Sequence, residues 1–203
     1  MRVGTKWIPP VMAAAMLSPL FFLGHGATAR HVRVVDGSTT KGLLDIRLTR
    51  NSGDQAANIW IVTYQRWTLD AMWDMGYLLA WFDTEGDARY DYYVLARSDG
   101  RRMRGHLYRD NQSSKDRRVA KVTVWRPDKR TVRIRVPLEL MEFSPERLSY
   151  FWYAQTLFTG RRCRSVCLDR APNYTGIEEP VPGVSTPTPT PTVVPTVTVT
   201  PPP

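Results

Sequence analysis

The chain has 203 residues, 28 Lys and Arg against 19 Asp and Glu, a formal net charge of +9, and 42% hydrophobic residues. That apolar share excludes a wholly disordered chain, and the length suits one domain with flanking segments. With three His, two Cys and no Gly-x-Ser-x-Gly, His-Glu-x-x-His or phosphate-cradling Gly loop, little in the chain supports catalysis.

The chain opens as an export leader. Arg2 and Lys6 form a positive start, Ile8 to Leu23 an uncharged and mostly apolar run, and Gly24 to Ala29 a small-residue end. Ala27 and Ala29 occupy the two positions that a signal peptidase reads, which predicts residues 1–29 as a signal peptide cut after Ala29. The apolar run is shorter than the roughly 20 residues a membrane-spanning helix needs, so no transmembrane segment is expected after cleavage. No Cys follows the run, which argues against a lipid anchor there.

Residues 30–175 are expected to form the folded domain. Alternation of apolar and polar residues marks nine strands: His31–Val35, Leu44–Thr49, Asn58–Trp67, Tyr77–Phe82, Tyr90–Ala96, Arg102–Tyr108, Arg118–Trp125, Thr131–Val136 and Ser149–Leu157. Turn sequences such as Ser98-Asp99-Gly100 and Arg126-Pro127-Asp128-Lys129-Arg130 separate them. Helical signals are confined to Leu69–Met75 and a turn at Ser144-Pro145-Glu146-Arg147. Short, evenly spaced strands predict an all-β antiparallel sandwich, jelly-roll-like, of about nine strands.

Between the fourth and fifth predicted strands lies Trp81-Phe-Asp-Thr-Glu-Gly-Asp-Ala-Arg-Tyr-Asp91. Asp83, Glu85, Asp87 and Asp91 alternate as the oxygen ligands of a calcium loop do. Ala88 stands where such a loop has Gly, and Val94 where it has a closing Glu. A hairpin with an acidic turn is the competing reading, in which no cofactor is required.

A strand ending in Phe82-Asp83-Thr84-Glu85-Gly86-Asp87, then Val132-Arg-Ile-Arg-Val-Pro-Leu138, then the aromatic Tyr150-Phe-Trp-Tyr153, together resemble secreted bacterial jelly-roll modules. The similarity is to family-9 carbohydrate-binding and DOMON-like sandwiches and spans roughly Tyr77 to Leu157. It implies a sandwich that holds a sugar or a haem. It does not supply the gripping residues.

Aromatic side chains are numerous, and sugars stack on exposed rings, although rings also fill β cores. Trp73, Trp81, Trp125 and Trp152 are the ligand-binding candidates, with Trp73 in a loop and Trp125 off the main alternation. The positive charge attracts polyanions, and in an exported protein these are anionic wall polymers rather than cytoplasmic nucleic acid. Most of the basic residues are Arg spread along the chain, as a GC-rich genome also produces.

Cys163 and Cys167 are predicted to form a disulfide, across a tight hairpin or along one helical turn. Residues 176–203 are expected to be a disordered tail. From Pro180 onward the tail holds nine Pro, seven Thr and no charge, the composition of a spacer.

Together these readings predict a secreted, non-catalytic β-sandwich module, associated with the cell surface if the tail tethers it, that binds a polysaccharide or cell-wall polymer. A structural or protein-interaction domain of the envelope is the alternative. A glycoside hydrolase using a carboxylate pair is the third reading, since its two acids need no local motif.

Overall fold

The computed structural model describes residues 32–53, 55–160, 162–173 and 175–181. The expected leader, with Ala27 and Ala29, and the chain beyond 181 lie outside them.

Eleven strands follow in order: β1 (Arg33–Val35), β2 (Ile46–Asn51), β3 (Ala56–Thr63), β4 (Gly76–Asp83), β5 (Tyr92–Ser98), β6 (Met103–Arg109), β7 (Arg117–Trp125), β8 (Thr131–Pro137), β9 (Ser149–Gly160), β10 (Cys163–Ala171) and β11 (Ile177–Pro180). The helical signals come to little: 3₁₀ turns at Asp70–Met72 and Leu138–Leu140, and a turn in which Arg147 N donates to Ser144 O. The class is the expected all-β antiparallel one, with eleven strands among the described residues where nine were expected.

The strand order is β1-β2-β3-β8-β7-β6-β5-β4-β9-β10, with β11 also on β9. Strands β4 to β8 form a meander of sequential hairpins, the arrangement their short turns dictate. Strand β7 belongs to both halves of the molecule: its residues up to Val122 pair with β6, and Thr123 to Trp125 pair with β8. We call β1-β2-β3-β8 with the end of β7 the first sheet, and the start of β7 with β6-β5-β4-β9-β10-β11 the second. The bend needs Gly105 on β6, because a Cβ there would lie 2.2 Å from Val124 Cγ2.

Alternation puts one face of each sheet into a common core. Ile59 and Ile61, with Val132, Ile134 and Val136, come from the first sheet; Leu78, Phe82, Val94, Leu107 and Trp152 come from the second. Each such side chain contributes about 1.5–3 kcal/mol by leaving water. Buried polar bonds join the two sheets on the side away from β7. Asn51 Nδ2 donates to Tyr150 Oη at 2.8 Å, Thr156 Oγ1 to Leu44 O at 2.8 Å, and Ile46 N to Asp169 Oδ2 at 2.5 Å.

Two expectations near the end of the domain are corrected. The domain does not stop at residue 175: Ile177–Pro180 pairs with Trp152–Ser149 of β9, and Val181 N donates to Leu148 O. A four-residue strand ending in Pro is too short to show a period. The cysteines are neither on a hairpin's two strands nor on a helix. Both lie on β10, where Cys163 is opposite Gly160 and Cys167 opposite Phe158, so the strand bulges between them. The disulfide spans that bulge with a Cα separation of 5.8 Å. No helix among the described residues is long and apolar enough to cross a membrane.

Candidate functional site

The four candidate tryptophans do not come together. Trp73 follows the 3₁₀ turn and is 59% exposed, beside Gly100 of the β5–β6 turn. Trp125 lies on the outer face of the first sheet, its ring under the Arg133 guanidinium at 4.6 Å. Trp152 is overturned as a ligand contact, being 0% exposed in the core opposite Phe82. Its neighbours Tyr150 and Tyr153 are also aromatic, so the local sequence hides which phase of β9 faces inward.

Trp81 is different. It points outward from β4, half-buried, because Ala80 and Phe82 take the inward positions. Across the ladder its partners are Tyr153 on β9 and Tyr93 on β5, and Tyr93 is in turn opposite Tyr108 on β6. The shared register sets four rings in one row across the outer face of the second sheet. Centroid separations are 6.0 Å for Tyr153–Trp81, 4.8 Å for Trp81–Tyr93 and 5.2 Å for Tyr93–Tyr108, with interplanar angles of 9°, 35° and 12°. The Tyr153–Trp81 and Tyr93–Tyr108 pairs are stacked and the Trp81–Tyr93 pair is tilted, and aromatic pairs at such separations are each worth about 0.5–1.5 kcal/mol beyond burial. Tyr90, from the β4–β5 loop, meets Tyr153 edge-on at 4.5 Å and Trp81 at 6.2 Å.

Polar groups border the row. Trp81 Nε1 donates to Gln155 Oε1 at 3.0 Å, and Tyr93 Oη to Asp116 Oδ2 at 2.7 Å. Burial, then the bond to the Asp116 carboxylate, raises the Tyr93 hydroxyl above the usual phenol range. The Arg170 guanidinium lies 3.7 Å from the Tyr153 ring centre and donates to Tyr90 Oη at 3.1 Å. Burial pushes the Tyr153 hydroxyl up to about 12. At the other end, burial and the nearby charges of Arg118, Arg97, Lys121 and Arg104 lower the His106 pKa. Tyr153 is buried beneath Tyr90 and the Arg170 guanidinium, so the outer surface presents the half-buried edges of Trp81, Tyr93 and Tyr108 with the cations beside them.

The acidic loop holds Tyr90 over this row. Asp83 Oδ1 accepts from Gly86 N, and its Oδ2 from Ala88 N at 3.1 Å. Asp91 Oδ2 accepts from Thr84 N at 2.7 Å, Thr84 Oγ1 at 3.1 Å and Glu85 N at 3.2 Å. Asp87 accepts from Arg89 N at 2.9 Å. Arg147 fills the space a Cβ at Gly86 would need, and donates to Glu85 O and Gly86 O. These oxygens are directed at N–H groups of the protein, and among the described residues no three His, Cys, Asp or Glu are placed to hold a metal ion. Burial, its first cause, raises the Asp83 carboxyl pKa.

Searched against protein-family models, curated proteins and solved structures, the chain gives no significant match. The site therefore has to be read from its own chemistry. Of this row, the sequence candidates include Trp81 alone; Tyr153, Tyr93 and Tyr108 are not among them. The signal was present: Tyr108 is out of phase with Leu107 on β6, as Trp81 is with Phe82 on β4. Only strand register shows that such positions align.

Proposed function

We propose that the chain is an exported, non-catalytic module that binds a glycan through the outer face of its second sheet. The observation that carries this reading is the row Tyr153–Trp81–Tyr93–Tyr108, on a face that an antiparallel sheet ordinarily gives to polar residues. A sugar offers C–H groups to ring edges and hydroxyls to Gln155, Arg170, Asp116 and the tyrosine hydroxyls. The resemblance to carbohydrate-binding sandwiches points the same way. The leader ending in Ala27 and Ala29 supports export, and the Cys163–Cys167 disulfide suits an oxidising compartment.

Tryptophan fluorescence titrated with soluble glycans and cell-wall fragments tests the reading. A saturable change that Trp81→Ala abolishes is expected. No change across the panel, with no pull-down on isolated walls, would refute it.

A second reading, a protein-interaction domain of the envelope, is favoured by a further row on the same face. Tyr77 pairs with Leu157, itself opposite Leu168, which is 51% exposed. On that reading the glycan panel is silent, and a Leu168→Lys substitution disrupts binding of a protein partner.

A further inference from the structure

The outer face of the first sheet carries a second row of unlike character. Register places Arg33 of β1 opposite Arg50 of β2, Arg50 opposite Trp60 of β3, Trp60 opposite Arg133 of β8, and Arg133 opposite Trp125 of β7. The Arg50 guanidinium lies 4.1 Å from the Trp60 ring centre, and the Arg133 guanidinium lies 4.6 Å from the centres of both Trp60 and Trp125. Arg135 continues the charge one row further, opposite Asn58 and Thr123. The segments β1, β2, β3, β8 and 123–125 of β7 contain Arg33, Arg47, Arg50, Arg133 and Arg135 and no Asp or Glu.

An uncompensated row of this kind needs explaining. Like charges on adjacent strands repel, and a sheet gains more from pairing opposite charges across its ladder. The ion pairs among the described residues are Asp99 with Arg102 and with Arg104, and Glu142 with Arg109. None lies on this face. The indoles hold Arg50 and Arg133 in place and reduce the side-chain freedom that binding would otherwise remove. One Arg133 nitrogen donates to Asn58 Oδ1 at 3.3 Å; the Arg50 N–H groups and the second terminal nitrogen of Arg133 are charged donors suited to phosphate or carboxylate oxygens.

We propose that this face binds a linear anionic glycan or polyol polymer, carrying phosphodiester or carboxylate groups, along the line Arg33–Arg50–Arg133. Charge complementarity along the Arg row selects a flexible chain with an anion on each repeat. Single-stranded nucleic acid gains much of its affinity by stacking bases on free aromatic faces. Trp60 offers none, because guanidinium groups from the strands on either side cover its ring. This surface is separate from the aromatic row on the second sheet, and either can fail without the other.

The test uses the full chain with poly(glycerol phosphate) as the probe, titrated calorimetrically across a range of salt concentrations. Neutral dextran, a single-stranded oligonucleotide and vesicles containing phosphatidylglycerol run in parallel. Binding to the polymer with a negative slope of log affinity against log salt is expected, as counterions are released. Arg50→Gln/Arg133→Gln should weaken it about tenfold at low salt and cut the slope by about half, as expected if four Arg share the contact. Arg33→Gln/Arg135→Gln should do much the same; these two exposed side chains lack ring contacts, so this variant keeps the test valid if the first misfolds. Arg101→Gln/Arg102→Gln, which removes equal charge from the β5–β6 turn, should leave binding unchanged. Three results would each overturn the proposal: no binding at low salt, an equal loss in the turn variant, or tighter binding of the oligonucleotide or the vesicles.

Discussion

Replacing Asp169 by Ala should loosen the junction where the two sheets meet. Its carboxylate accepts from Ile46 N at 2.5 Å, from Thr39 Oγ1 at 3.0 Å and from its neighbour Arg170 N at 3.0 Å. Ile46 is 0% exposed, so its N–H would have no water to replace the lost oxygen. An unsatisfied buried donor costs about 1–3 kcal/mol, and the half-exposed Thr39 bond adds about 1 kcal/mol, giving about 2–4 kcal/mol in all. For a domain of this size each kcal/mol lowers Tm by about 2–4 °C, so the drop should be roughly 5–15 °C. Thermal unfolding followed by circular dichroism measures it. A variant within about 2 °C of the parent would refute the reasoning, since less than one net hydrogen bond would then be involved. The linkage to pH carries a definite sign. Burial, the largest cause, raises the Asp169 pKa above 3.8, and Asp36 and Asp45 add to it. The folded state thus holds the proton more tightly than the unfolded chain. The stability this contributes is present below the ordinary carboxylate range and is lost as pH rises through the folded pKa. Asp169→Asn, neutral at every pH, should remove that part of the pH dependence.

Reducing the Cys163–Cys167 disulfide opens a small loop, worth about 2 kcal/mol in the chain-entropy model. A dithiol should therefore lower Tm by only several degrees, and complete unfolding on reduction would contradict a local clip. Asp91→Ala removes the oxygen that gathers Thr84 and Glu85. It should release Tyr90 from Tyr153 and weaken glycan affinity while the core melts cooperatively, and unchanged affinity would separate the loop from the site. Because Asp83 and Asp91 are directed at N–H groups, Tm should be the same in calcium and in chelator; a calcium-dependent rise abolished by Asp87→Ala would return an ion to the loop. The His106 ring should titrate below the usual histidine value by NMR. Between its folded pKa and about 6.5, stability should then fall as pH falls, since the unfolded chain binds the proton more readily. A normal His106 pKa would contradict the cationic surroundings.

Much of the fold was legible because half-buried strands alternate. Val132, Ile134 and Val136 announce β8 by themselves, and Asp128 marks the turn before it, where it accepts from Arg130 N and Thr131 N. β10 was not legible. Residues 163–167 wrap a bulge, which breaks the period of two on which sequence reading depends. The candidate site was legible only in part. Trp81 reads as outward from its own strand, but the row it joins depends on β4 pairing with β9, far along the chain. Local sequence does not encode that pairing. The Arg–Trp row is hidden for the same reason, with Trp60 and Arg133 distant in sequence and opposite each other in the sheet.

The most direct test of the central claim is a fluorescence titration of the wild-type chain and Trp81→Ala, side by side, with cell-wall glycan fragments. The glycan-face account predicts saturable binding by the wild type, loss of binding in Trp81→Ala, and no loss in Trp73→Ala. Equal binding by the wild type and Trp81→Ala would contradict it.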